Sequence, residues 1–160
     1  MRGSWRTSWL ATDRLRDTAR AMSEESTTPD LEELAVRGFE AMNRRDFAAF
    51  ESFYAPSASL TLVEMGASFE GAAAIRDYCE DFVGSFEQYE IEVNEVIDLG
   101  SGVCFGAYVQ RGRPIGSTGL VQMRVAIILL FAEGLVVRQV MDTDIDRGRA
   151  TAERLAEERG

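Results

Sequence analysis

The chain contains no histidine and no lysine; all seventeen of its basic residues are arginine. Without histidine there is no imidazole base for a Ser-His-Asp or Cys-His pair and no imidazole metal ligand. Also missing is the one side chain whose ordinary pKa lies in the physiological window. Without lysine there is no Schiff base, no pyridoxal attachment and no P-loop. Chemistry must then fall to Asp, Glu, Tyr, Cys, Ser or Arg, and no motif implies a cofactor or a metal. GC-rich codons, shared by Arg, Ala and Gly, account for the bias, and the constraint on mechanism holds whatever its origin. The two cysteines, Cys79 and Cys104, form no C-x-x-C pair and read as reduced thiols of a cytoplasmic protein. No apolar run approaches the roughly 20 residues of a membrane span. The longest, Val125 to Ala132, has the length of a strand. The net charge of -10 argues against a nucleic-acid or anionic-membrane surface.

What is present is 160 residues of ordinary apolar and charged content, enough for one domain with a real core. Residues 1–29 differ from the rest: they hold both tryptophans, Trp5 and Trp9, and the net charge is +3 over residues 1–22, leaving -13 for the remainder. With no continuous apolar stretch this is no secretory signal, and it reads as a disordered, Arg-containing extension. The domain itself is expected over 30–160. A helix begins near Asp30, with Thr28 or Asp30 as cap and Leu31, Leu34, Ala35, Phe39 and Met42 on one face. A second short helix carries Phe47, Phe50, Phe53 and Tyr54 up to Pro56. Ser57 to Met65 alternates as a strand, and Gly71 opens a third helix through Phe86. Strands follow at Tyr89–Leu99, Val103–Gln110, Leu120–Phe131 and Leu135–Met141, the last two joined at Glu133-Gly134. A loop, Arg111–Gly119, and a short polar terminal helix, Thr151–Glu158, complete the order. Helices grouped before an antiparallel meander mean an α+β domain. A curved, mainly antiparallel sheet with three helices over its concave face would make a cone-shaped α+β barrel with a pocket.

This order resembles the SnoaL-like branch of the nuclear transport factor 2-like superfamily. The resemblance covers residues 31 to about 152. It is carried by Phe39-Glu-Ala-Met-Asn-Arg-Arg-Asp46, Phe53-Tyr-Ala-Pro56, Phe69-Glu-Gly-Ala-Ala-Ala-Ile75, Val96-Ile-Asp-Leu-Gly100, Gln110-Arg-Gly-Arg113, Gly116-Ser-Thr-Gly119 and Glu133-Gly-Leu-Val-Val-Arg138. It implies the cone fold but no single activity, because the fold hosts isomerases, cyclases, hydrolases, dehydratases and binding domains. Steroid isomerases of this fold use an Asp base, a Tyr and a protonated Asp. Carried over, these positions fall on Leu62, Gly38 and Ile127, which excludes that mechanism. The last-strand carboxylate shared by the polyketide cyclases and the limonene-epoxide-type hydrolases falls on Met141. Its neighbour Asp142 points to the other face unless the strand end bulges.

Period two from these positions predicts a pocket lined by Leu60, Leu62, Cys104, Tyr108, Gln110, Ile127, Gln139 and Met141, with Tyr54 and Tyr78 closing its top from the helices. Such a cavity is apolar with a few polar tips and suits a small apolar or aromatic molecule. At each position simple core filling is the competing reading. Tyr108 and Gln110 stand out, because a polar tip in an apolar cone needs a partner. The opposite face of the sheet is also apolar, with Val103, Phe105, Ala107, Ala126, Ile128, Leu130, Val136 and Val140. Sheets apolar on both sides must be covered on both sides, so a homodimer through the outer face is expected, as the resemblance also implies. Asp142, Asp144, Asp146 and Glu153 nearly match a calcium loop, but Arg147 stands where its glycine belongs. Capping of the last helix explains these aspartates better. Three functions stay open. One is a pocket that binds without strong catalysis. Another is a cyclase-, isomerase- or dehydratase-type enzyme acting on a polyketide-like or related small molecule, with Tyr108, Glu64 or Asp142 as acid or base. The third is an accessory module with a vestigial pocket.

Overall fold

The computed structural model describes residues 30–160; the extension at 1–29 lies outside the described residues. Helix α1 spans Leu31–Asn43, and its start is fixed by Asp30, whose carboxylate accepts the Glu33 N–H at 3.1 Å. Helix α2, Phe47–Glu51, is capped in the same way by Asp46 on the Ala49 N–H. Strands β1 (Tyr54–Leu62) and β2 (Ala67–Glu70) precede helix α3 (Ala72–Gly84). The meander then runs β3 (Phe86–Asp98), β4 (Val103–Pro114), β5 (Val121–Ala132) and β6 (Leu135–Asp142), and helix α4 (Ile145–Arg159) follows it. Glu133 and Gly134 both take positive φ, 53° and 78°, as a two-residue hairpin turn with the twist of its strands demands.

The six strands form one curved, unclosed sheet in the order β2-β1-β6-β5-β4-β3. Every neighbouring pair is antiparallel except β1 with β6, which run parallel. Helices α1, α2 and α3 pack on the concave face, where Phe39, Met42, Phe50, Ile75, Cys79 and Val83 meet Leu60, Ile91, Val93, Val125, Ile127 and Leu129. This is the expected α+β cone. Among the described residues, no helix is long and apolar enough to cross a membrane.

The sheet face opposite those helices corrects an expectation. Helix α4 begins at Ile145, not Thr151, and lies on the convex face. It brings Ala152, with Ile145, Leu155 and Ala156 beside it, against Val103, Phe105, Ala107, Ala126, Ile128, Leu130 and Val140. Val103, Phe105, Ala126 and Ile128 retain no exposure. Burial of this kind stabilises by about 1.5–3 kcal/mol for each large side chain. The terminal helix reads as polar because its apolar stripe is narrow, yet one stripe of small and medium residues is enough to cover the strands. One of the two grounds for expecting a homodimer was a bare outer face, and cover from within the chain removes that ground; the other is the resemblance.

Boundaries shift elsewhere for identifiable causes. The second helix stops at Glu51, and Tyr54 already pairs with Val136 in β1; Pro56 denies a helical N–H and forces extended backbone before it. Strand β2 was not foreseen, because Val63–Gly66 forms a turn in which Gly66 takes φ 58°. Strand β4 runs on through Arg111 and Arg113, which pair with Glu92 at 2.9 Å and with Glu87 across β3, so the expected Gly-rich loop is shorter. On β6 the register slips between Leu130 and Phe131, making Val137 the extra residue of a bulge. Val136 therefore faces the concave core and Val137 the α4 side, the reverse of strict alternation.

Candidate functional site

The concave core is not filled. Between α1, α3 and the sheet lies a cavity of about 260 Å³. Its walls come from Leu34, Gly38, Phe39 and Met42 on α1, from Tyr78, Cys79 and Phe82 on α3, and from Ile91, Val125, Ile127, Leu129 and Val136 on the strands. The chain has four tyrosines, and Tyr54, Tyr78, Tyr89 and Tyr108 all line this one space. Exposed Val63, Met65 and Met123 rim its mouth.

Most predicted wall residues are at the cavity: Tyr54, Leu62, Tyr78, Tyr108, Gln110, Ile127, Gln139 and Met141. Leu60 and Cys104 are not; both are fully buried in packed core. Cys104 sits where α1 closes on the sheet, opposite Asp98, whose N–H donates to Glu32 at 3.0 Å. Tyr54 enters from β1 rather than from a helix. Sequence reasoning missed Phe39, Cys79, Phe82, Tyr89, Met123 and Phe131. Tyr89 was within its reach, since it lies two residues from Ile91 on the same face of β3.

The polar tips divide into engaged and unengaged atoms. Gln139, 3% exposed, accepts the Tyr54 hydroxyl on Oε1. Tyr89 donates to Gln110 Oε1 at 2.7 Å, and the Gln110 amide nitrogen has the Met123 sulfur at 3.7 Å. Tyr108, 3% exposed, packs its ring on Phe39 at 5.3 Å, and its hydroxyl has no hydrogen-bond partner among the described residues. Burial pushes the phenols of Tyr54, Tyr89 and Tyr108 up, and neighbouring thiol and phenol groups add to the shift. Burial also pushes the Cys79 thiol up to about 12. Near neutral pH these groups are therefore protonated donors and not bases.

The two candidate acids are otherwise employed. Glu64 lies beyond the end of β1, in the Val63–Gly66 turn, so strand alternation does not point it inward. Its side chain is 37% exposed, accepts from both the backbone and the hydroxyl of Thr143, and reaches Arg147 at 3.2 Å. Asp142 is buried at the end of β6. It accepts Arg147 Nε and Nη2, both at 2.7 Å, and the Asp144 N–H at 2.9 Å. These bonds, led by those from Arg147, hold its carboxyl below the usual range against the opposing effect of desolvation. Asp144 caps α4 on the Arg147 N–H at 3.0 Å. The aspartates thus end a strand and start a helix, and with Glu64 they clip the β1–β2 turn to the α4 end at the rim. Among the described residues no three His, Cys, Asp or Glu side chains converge on a metal position.

A profile of the SnoaL-like domain matches residues 35–139. The chain belongs to the SnoaL-like domain family. No curated protein matches its sequence significantly. Solved structures place this SnoaL-like domain among nuclear transport factor 2-like cones. A hypothetical protein from Catenulispora acidiphila, of ketosteroid isomerase-like fold and in complex with trimethylamine, aligns with TM-score 0.64 at 14% identity, over 79% of this chain and 94% of its own. A nuclear transport factor 2-like protein of unknown function from Burkholderia xenovorans aligns with TM-score 0.57 at 18% identity, over 69% and 79%. TerC, co-crystallised with polyporic acid, aligns with TM-score 0.61 at 12% identity, over 76% and 96%. In this SnoaL-like domain the positions that the isomerase, cyclase and hydrolase patterns would occupy, Gly38, Leu62, Ile127 and Met141, all line the cavity and all lack an ionisable group.

Proposed function

We propose that this SnoaL-like domain binds one small, mainly apolar or aromatic molecule in its cone and performs no strong acid–base chemistry on it. The observation that carries this reading is the space itself. Folded cores leave few voids larger than a water molecule, yet here about 260 Å³ stays open behind an apolar rim. Gly38 helps keep it open: a Cβ at that position meets nothing within 4 Å. The lack of a free carboxylate argues for binding over turnover. Buried phenols and a buried thiol do not ionise near neutral pH, and Glu64 and Asp142 are held by Arg147 and Thr143. Similarly folded proteins in complex with trimethylamine and co-crystallised with polyporic acid support small-molecule binding by this fold.

Mass spectrometry under non-denaturing conditions on the freshly purified protein should show a bound small molecule that is released on unfolding. Gly38→Leu, which fills the cavity from α1, should lose that adduct while keeping its circular dichroism spectrum. An adduct-free protein whose melting temperature is unmoved by a panel of aromatic compounds would overturn the proposal.

A further inference from the structure

The polar groups left over in the cavity share an unused donor. Gln139 uses Oε1 for the Tyr54 hydroxyl, and its amide nitrogen has no partner among the described residues although the side chain is buried. An amide nitrogen can only donate. The Tyr108 hydroxyl is buried and unpartnered in the same way. Gln110 repeats the pattern nearer the mouth, with Oε1 taken by Tyr89 and its nitrogen facing a thioether. Each of these groups keeps a polar hydrogen with no oxygen or nitrogen acceptor among the described residues, which a ligand oxygen would take. The site also offers an anion no counter-charge. Among the described residues lining it there is no arginine, and its two carboxylates, Glu64 and Asp142, already face Arg147. An anionic ligand would enter an apolar space with no free counter-charge, which is strongly unfavourable.

Resting on the binding reading above, we infer that the ligand carries no anionic group and presents hydrogen-bond acceptor oxygens at two places on an apolar frame, one to Gln139 Nε2 and one to the Tyr108 hydroxyl. The two donors are staggered along the sheet. Gln139 is level with Leu129, and Tyr108 with Val125. Four residues of strand separate those levels by about 13 Å at the backbone, a span that the two long side chains shorten from both ends. An elongated molecule of about two rings meets both.

Three probes test this: diphenylmethane, which has no acceptor, benzophenone, which adds a neutral carbonyl, and 4-benzoylbenzoate, which adds a carboxylate. Dissociation constants come from ligand-observed NMR on the full chain, and photocrosslinking by benzophenone locates it. A neutral hydrogen bond gained should make benzophenone bind about three- to tenfold tighter than diphenylmethane. Tyr108→Phe or Gln139→Met, whichever removes the donor of the carbonyl, should abolish that difference. 4-Benzoylbenzoate should bind more weakly than benzophenone. Equal affinity for diphenylmethane and benzophenone, or tightest binding of the carboxylate, overturns the inference but leaves the pocket reading standing. No binding by any of the three overturns both. If Gln139→Met fails to fold for want of the Tyr54 partner, the wild-type ratio and Tyr108→Phe still decide.

Discussion

Gly38 and Gly148 both lie in helices, and a methyl group added at each meets different surroundings. At Gly38 there is open cavity, so Gly38→Ala should gain helix propensity and stabilise by about 0.5–1 kcal/mol. At Gly148 the added carbon would lie 2.5 Å from the Ala126 Cβ, so the same change pushes α4 off β5. The expected cost is about 1–3 kcal/mol, as for other overpacked contacts. Urea unfolding of the two variants checks both signs. The tyrosines give a residue-level pH signature. Their folded pKa values are raised, so the unfolded chain releases the phenolic protons first. Stability should therefore fall as pH rises above the ordinary tyrosine value of about 10. Phenolate absorbance of the native protein should lag behind free tyrosine and then rise together with unfolding. A native-state titration at the ordinary value for all four would contradict the burial of Tyr54, Tyr89 and Tyr108.

Among the elements, α4 gains most from being seen in three dimensions. Its role was not legible in the sequence, because its buried positions are Gly148 and Ala152, residues that periodicity hardly scores. Apolar alternation in β4 and β5 showed that both sheet faces needed cover; which element supplies the cover depends on chain direction after Asp142. The same limit applies at Val137, where a bulge reverses the faces of β6 without any mark in composition. Alternation did locate Tyr108 and Gln110, since β4 and β5 pair without a slip in register, whereas Ile127 and Met141 came from the resemblance. The clip that starts α4 has its own pH dependence. Asp142 has a depressed folded pKa, so its contribution is complete above the unfolded value of about 4 and fades as pH falls through the folded one. Asp142→Asn should cost about 1–2 kcal/mol at neutral pH, discounted because Arg147 is half-exposed. The gap to wild type should narrow below about pH 4, as urea midpoints at the two pH values would show.

At the scale of the whole fold, two halves of the chain are joined through one parallel seam and through α1 on β3. Residues of β1 line up with β6 as Leu60 with Gln139 and Leu62 with Met141, and the Tyr54–Gln139 hydrogen bond spans 85 positions. The meander and α4, by contrast, are built from neighbours in sequence. Closing the long loop costs entropy before any contact repays it, so the meander with α4 should form early and the seam late. Phe105→Ala should slow folding, whereas Leu60→Ala should chiefly speed unfolding, as chevron kinetics would reveal. Because the α1 and α3 walls of the cavity belong to the half of the chain that meets the meander over these long separations, the cavity does not exist until folding is nearly over. Any molecule it retains acts as a brake on unfolding and gives no help to the chain on its way in.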